Sequence, residues 1–185
     1  MSQLSILGIC GSLRKGSLNR GLLREAQELA PDDVEIEVFD LIDIPLYNAD
    51  VDQAGDPDSV LELKRRIADA DAVLFATPEY NGSYSGVLKN AIDWASRQYE
   101  RPVFAEKPVA VMGAGGRLGT ARAQIALRQL LMGQGCYVLP RPQVQISIRP
   151  NVFELDGTLA DEEARNNIAG LVEALAVWAR RLRPD

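Results

Sequence analysis

The chain has 185 residues, 46% hydrophobic and 25% charged, with a net charge of −6. That length suits one domain with a sizeable core, and the acidic balance argues against nucleic acid as a general partner. There is no histidine, which excludes a Ser-His-Asp triad, a His-activated cysteine and a His-based zinc site; two distant cysteines, Cys10 and Cys136, argue against a disulfide scaffold and for a reducing compartment.

The elements alternate along the chain. QLSILGIC (3–10) reads as a buried strand, and Leu18 to Ala30 as a helix stopped by Pro31. VEIEVFDL (34–41) alternates apolar and acidic residues, as a half-exposed strand near a sheet edge does. IPLYNADVDQAGDPDS reads as a loop, and Val60 to Ala70 as a helix capped by Asp58 or Ser59. AVLFATP (72–78) is apolar throughout, as the centre of a parallel sheet requires. EYNGSYS is a loop, GVLKNAIDWASRQ (86–98) a helix, and PVAVMGAGG (108–116) a fourth strand running into a glycine-rich loop. A helix from Thr120 to Met132 precedes a fifth strand, GCYVLP, continued around VQI. The last helix, Asp161 to Leu182, puts Ile168, Leu171, Val172, Leu175 and Ala179 on one face, with acids at its start and arginines at its end. Five strands alternating with five helices predict one doubly wound α/β domain over 1–185, with helices on both faces of a five-stranded parallel sheet. In such folds ligands sit beyond the carboxyl ends of the strands. No targeting segment and no run of about 20 apolar residues is visible, so the expectation is a cytoplasmic protein without a membrane span.

Three loops at that end are rich in chemistry. GSLRKGSLN (11–19) collects Ser12, Arg14, Lys15, Ser17 and Asn19 at a helix start, an arrangement suited to a phosphate. It is neither a Walker A nor a GxGxxG motif, and Ser17 or Asn19 acting only as a helix cap is the plainer alternative. TPEYNGSYSG (77–86) has a stiffening proline and an Asn81-Gly82 turn pair. Such a turn presents backbone N–H and C=O to a planar heterocycle, with Tyr80 over a ring face; the alternative is a plain loop capped by Ser83 or Ser85. MGAGGRLGT (112–120) has four glycines and, in Arg117, a second anion contact, or is simply a surface loop. Cys10 reads as a small buried hydrophobe, and the acids at 50, 52, 56 and 58 as a solvated loop without metal-loop spacing. Lys89, Asp93 and Arg97 share a helix face and suit ion pairs or an interface.

Taken together, GSLRKGSLNR, TPEYNGSYSGVLKNAIDW, GRLGTARAQIALRQLL and IPLYNADV resemble the NADPH-dependent FMN reductase family, the flavodoxin-like group that includes quinone, chromate and azo-dye reductases. The resemblance implies a flavodoxin-like sheet with FMN at its carboxyl edge and NADPH or NADH as electron donor. It places Ser12, Arg14, Ser17, Leu18 (through its backbone) and Asn19 on the FMN phosphate. Pro78, Glu79, Tyr80, Asn81 and Gly82 then line the flavin ring and ribityl chain, with Glu79 and Tyr80 positioning the ring. Ala114, Gly115 and Gly116 close its other edge. Arg117, which follows the glycine loop as an addition to the family pattern, is our own expectation for the pyrophosphate or 2′-phosphate of the donor. The chain departs from the family in having Gly82 where a bulkier residue is common, Ser85 where proline is common, and MGAGG for GASPG. No acid or base is required, because the cofactor carries the chemistry. The implied activity is ping-pong transfer of reducing equivalents to quinones, free flavin, azo dyes, chromate or ferric complexes, in a homodimer or homotetramer. An electron carrier that never binds nicotinamide is the alternative, against which Arg14 and Lys15 count; a flavin-free mononucleotide-binding module is a third.

Overall fold

The computed structural model describes residues 3–97, 102–154 and 156–183. Its strands are β1 (Leu4–Cys10), β2 (Val34–Phe39), β3 (Ala72–Ala76), β4 (Pro108–Gly115), β5 (Tyr137–Val138) and β6 (Val144–Ser147). Its helices are α1 (Leu18–Glu28), α2 (Ala49–Ala54), α3 (Asp58–Asp69), α4 (Gly86–Ala95), α5 (Ala121–Gly133) and α6 (Glu162–Leu182). All strand pairs are parallel, in the order β2-β1-β3-β4-β5, with β6 also on β4. This is the flavodoxin-like sheet the sequence predicts, with β2 at one edge and the wholly buried β3 at its centre.

The two sheet faces bury different helices. One core joins α1 and α6 through Leu22, Leu23, Ala26, Ile168, Leu171 and Leu175. The other joins α3, α4 and α5 through Leu63, Ile67, Leu88, Ile92, Leu127 and Leu131. Burying each Leu or Ile contributes about 1.5–3 kcal/mol, so these stripes supply the main drive for layering. Among the described residues no helix is long and apolar enough to cross a membrane.

Three local expectations are corrected. The fifth strand comes in two pieces: β5 pairs with Pro108 and Val109, β6 with Met112 to Gly115. The break falls at Pro140-Arg141-Pro142, where two residues lack the N–H a ladder needs. Within the expected loop after β2, Ala49–Ala54 form a short helix capped by Asn48, whose side chain accepts from the Asp50 N–H (2.9 Å). Helix α3 starts at Asp58 behind Pro57, with no side-chain cap from Asp58 or Ser59. Helix α4 ends at Ala95 with Ser96 as its C-cap, short of the predicted end at Gln98, which itself lies outside the described residues; Ser85 caps the helix start through the Leu88 N–H (3.2 Å).

Candidate active site

The carboxyl ends of β1, β3 and β4 deliver the three polar loops to one place. Loop one leaves β1 at Cys10, where the Gly11 N–H donates to the Ala76 carbonyl (2.8 Å) and holds the loop against β3. Ser12 is buried below it, while Arg14 and Lys15 stand exposed without a carboxylate partner among the described residues. Ser17 caps α1, accepting from the Arg20 N–H (3.3 Å). A first helical turn leaves its leading N–H groups, here Leu18 and Asn19, without an intrahelical acceptor, and it concentrates positive potential there.

Asn19 does something the sequence does not reveal. Its Nδ2 donates to the Ala114 carbonyl (3.0 Å) and its Oδ1 accepts the Ala114 N–H (2.9 Å). Strand β3 ends at Ala76, opposite Met112, so Ala114, two residues on, has no strand partner on that side. The Asn19 amide takes the place of the missing strand and fastens loop one to β4. It is a strut at least as much as a ligand. Arg20 is likewise turned aside, pairing with Asp40 at 2.8 Å.

Loop three is a two-residue hairpin. Tyr80 and Ser83 exchange both backbone hydrogen bonds (3.0 Å each), with Asn81 and Gly82 at φ of 52° and 76° between them. Positive φ at both central positions is what an Asn-Gly pair supplies at least cost. Tyr80 as a whole is 52% exposed. Glu79 lines the cavity, but its carboxylate is engaged with α5. Its carboxylate accepts the Arg122 and Ala123 N–H groups (3.0 and 3.2 Å) and the Arg122 Nε (2.7 Å). It therefore caps α5, whose own N-cap residue Thr120 makes no side-chain cap bond. Burial pushes its pKa up, but the Ala123 N–H and the Arg122 guanidinium outweigh that and hold it below the ordinary value.

Loop four continues β4. Gly113 lies so close to loop three that a Cβ there would fall 2.3 Å from the Thr77 carbonyl oxygen, so only glycine fits. Gly116, by contrast, faces open space. Its neighbours are stapled to the end of β6: Ile148 N–H to Gly115 O (2.8 Å) and Ser147 Oγ to Arg117 O (2.9 Å).

The three loops enclose a cavity of about 160 Å³. Ser12, Arg14, Ser17, Leu18 and Asn19 line one side; Pro78, Glu79 and Tyr80 a second; Ala114, Gly115 and Gly116 a third. Of the residues predicted for the site, Asn81, Gly82 and Arg117 lie outside this lining, at the hairpin tip and just past Gly116. Ile148, which no motif marks, lines it as well, carried there by the pairing of β6 with β4. Across Tyr80 a more open groove of about 520 Å³ runs past Leu13 and Val87.

Other candidate groups fall away from this site. The Cys10 thiol sits beneath loop one, 3.6 Å from the Ser12 carbonyl, and burial raises its pKa; Cys136 is raised to about 12 by burial. Both are free and buried. Asp56 pairs with Lys64 (2.6 Å), and no group of three or more His, Cys, Asp or Glu side chains suited to a metal occurs among the described residues. Lys89 pairs with Asp93 (2.6 Å), whereas Arg97 lies over the Tyr47 ring.

The profile of NADPH-dependent FMN reductases matches residues 4–150. The chain belongs to this family. It is 51% identical to an NAD(P)H-dependent FMN reductase of Pseudomonas aeruginosa over 181 residues, 97% of each chain. It is 40% identical to an NAD(P)H:quinone oxidoreductase of Solanum tuberosum, covering 97% of this chain and 95% of that one. Among solved structures, the flavoenzyme NAD(P)H:(acceptor) oxidoreductase FerB of Paracoccus denitrificans superposes with a TM-score of 0.87 at 40% identity, over 96% of this chain and 98% of that one. As a member of the NADPH-dependent FMN reductase family, the chain is an NAD(P)H-dependent oxidoreductase with FMN as its cofactor. The donor set fits that group: a helix N-terminus, a buried serine and an arginine suit a phosphate, and the small Ala114, Gly115 and Gly116 at the β4 end suit a flat ring.

Proposed function

We propose that this protein passes reducing equivalents from NADPH or NADH to quinones and similar small acceptors, among them free flavin, azo dyes, chromate and ferric complexes. The observation that carries the reading is the convergence of three loops on one cavity, cationic at the α1 end and built from backbone at the β4 end. FMN, when bound, supplies the hydride chemistry, and the chain supplies binding and orientation. Ser12, Arg14, Ser17 and the Leu18 and Asn19 N–H groups hold the phosphate. Pro78, Tyr80, Asn81 and Gly82 offer backbone polar groups and one ring to the flavin, and Ala114, Gly115 and Gly116 allow close approach from the other side. Glu79 keeps the hairpin in place by gripping α5. Donor and acceptor take turns in the same opening. Leu46 and Ile42, 85% and 58% exposed on the loop between β2 and α2, suit burial in a homodimer that pairs further into a homotetramer. Two buried, free cysteines fit the cytoplasm.

Initial-rate kinetics with NADPH and a benzoquinone test this. Parallel double-reciprocal lines are expected. Intersecting lines would contradict the alternating use of one opening; no NADPH consumption at all would favour an electron carrier, the reading against which Arg14 and Lys15 stand, both without a carboxylate partner among the described residues.

A further inference from the structure

Beside the FMN cavity, across the end of β6, lies a second cavity of about 290 Å³. The two share a ridge: Ile148 lines the first, Ser147 and Arg149 the second. The ridge is fixed, because Gly115 and Ser147 are in register and the Ile148 and Ser147 hydrogen bonds staple it to loop four. Arg117 and Arg149 are therefore exposed side chains on backbone segments bonded to one another. In a chain with more acids than bases, Arg20, Arg65, Arg66, Arg122, Arg165 and Arg180 all hold carboxylates. Arg117 and Arg149 hold none among the described residues. The second cavity is polar, with the amides of Gln143, Gln145 and Asn167 around it. Its far side carries Asp161, engaged with the Ala164 N–H (2.8 Å) at the start of α6, and Glu163. Those acids repel phosphate and accept from hydroxyl or amino groups, so an anion belongs at the arginine end and an uncharged polar body beyond it.

We infer that the ADP half of the nicotinamide donor lies across this ridge, Arg117 on its pyrophosphate, Arg149 on the 2′-phosphate of NADPH and the adenosine in the polar cavity. The inference rests on the oxidoreductase reading above and gives it a donor subsite and a basis for choosing NADPH over NADH. The arrangement also separates the roles of the two arginines. Arg149 touches only what NADPH has and NADH lacks, while Arg117 serves both donors.

The test uses the holoprotein and two redox-inert probes, 2′-phospho-ADP-ribose and ADP-ribose, which share the pyrophosphate and differ only in the 2′-phosphate, titrated by calorimetry. The wild type should bind 2′-phospho-ADP-ribose more tightly than ADP-ribose, and that preference should shrink as salt is raised. Arg149→Ala should bind 2′-phospho-ADP-ribose about ten-fold more weakly, the low end for a charge-assisted hydrogen bond, and ADP-ribose as the wild type does. Arg117→Ala should weaken both probes by a similar factor. In turnover, Arg149→Ala should raise the KM for NADPH and leave the ratio of NADPH to NADH efficiency near one. Equal binding of the two probes by the wild type, or unchanged binding by both variants, overturns the subsite. The flavin spectrum of each preparation is recorded first. A yellow protein with unchanged nucleotide binding refutes the subsite alone; a wild type that takes up no FMN refutes the underlying reading, and the nucleotide titrations still report on the arginines.

Discussion

Replacing Asn19 with alanine removes the strut between loop one and β4. The side chain is 4% exposed and its amide satisfies both backbone groups of Ala114, itself 2% exposed. Alanine leaves that N–H and that carbonyl without protein partners. Each such loss costs about 1–3 kcal/mol. The adjoining cavity lets water reach one of the two, which puts the sum at about 3 kcal/mol, in the lower half of the range. For a chain of this size 1 kcal/mol corresponds to about 2–4 °C, so the melting temperature should fall by roughly 6–12 °C. Urea unfolding with an unchanged m-value reads the loss directly. Apo protein should be measured, so that lost FMN binding does not enter. A loss below about 1 kcal/mol would show that the Ala114 groups are satisfied some other way, and that the strut carries no weight.

Three further outcomes are expected. Arg14→Ala removes a charge-assisted contact to the FMN phosphate and should weaken FMN binding about ten-fold, with a shallower salt dependence, in a fluorescence titration; unchanged affinity would take Arg14 off the phosphate. Glu79→Gln should destabilise by about 1–2 kcal/mol at neutral pH, since it weakens the α5 cap and breaks the Arg122 pair. Glu79 has a folded pKa below its unfolded value, so its contribution is full above about pH 4.3 and is lost as pH falls through the folded value; wild type and variant should converge in acid, and a constant gap would contradict the assignment. Native protein should react slowly with a thiol reagent at pH 8 and yield both thiols on unfolding, because Cys136 titrates at about 12 and Cys10 is also raised; fast labelling of the folded protein would deny their burial.

The legible parts of the fold are those where local pattern and tertiary demand agree. Strands β1, β3 and β4 are apolar runs ended by glycine or proline loops, and α6 shows its apolar stripe and its charged ends in sequence. Helix α2 was hidden because ADVDQA buries no residue and so has no apolar period to display. The site is legible to the extent that its residues sit in motifs. Its connections are not: Asn19 meets Ala114 and Glu79 meets Arg122 only because the parallel sheet sets the ends of β1, β3 and β4 side by side. Ile148 is an ordinary residue in an ordinary loop, and nothing short of the β4–β6 register brings it to the cavity.

The central claim is that three loops hold FMN where a nicotinamide donor reaches it. The most direct measurement is the absorption spectrum of the FMN-loaded protein, before and after anaerobic addition of NADPH. The account predicts the visible bands of protein-bound oxidised flavin, bleached promptly by the donor. A protein that stays colourless after FMN loading, or a bound flavin that NADPH and NADH both leave oxidised, would contradict it.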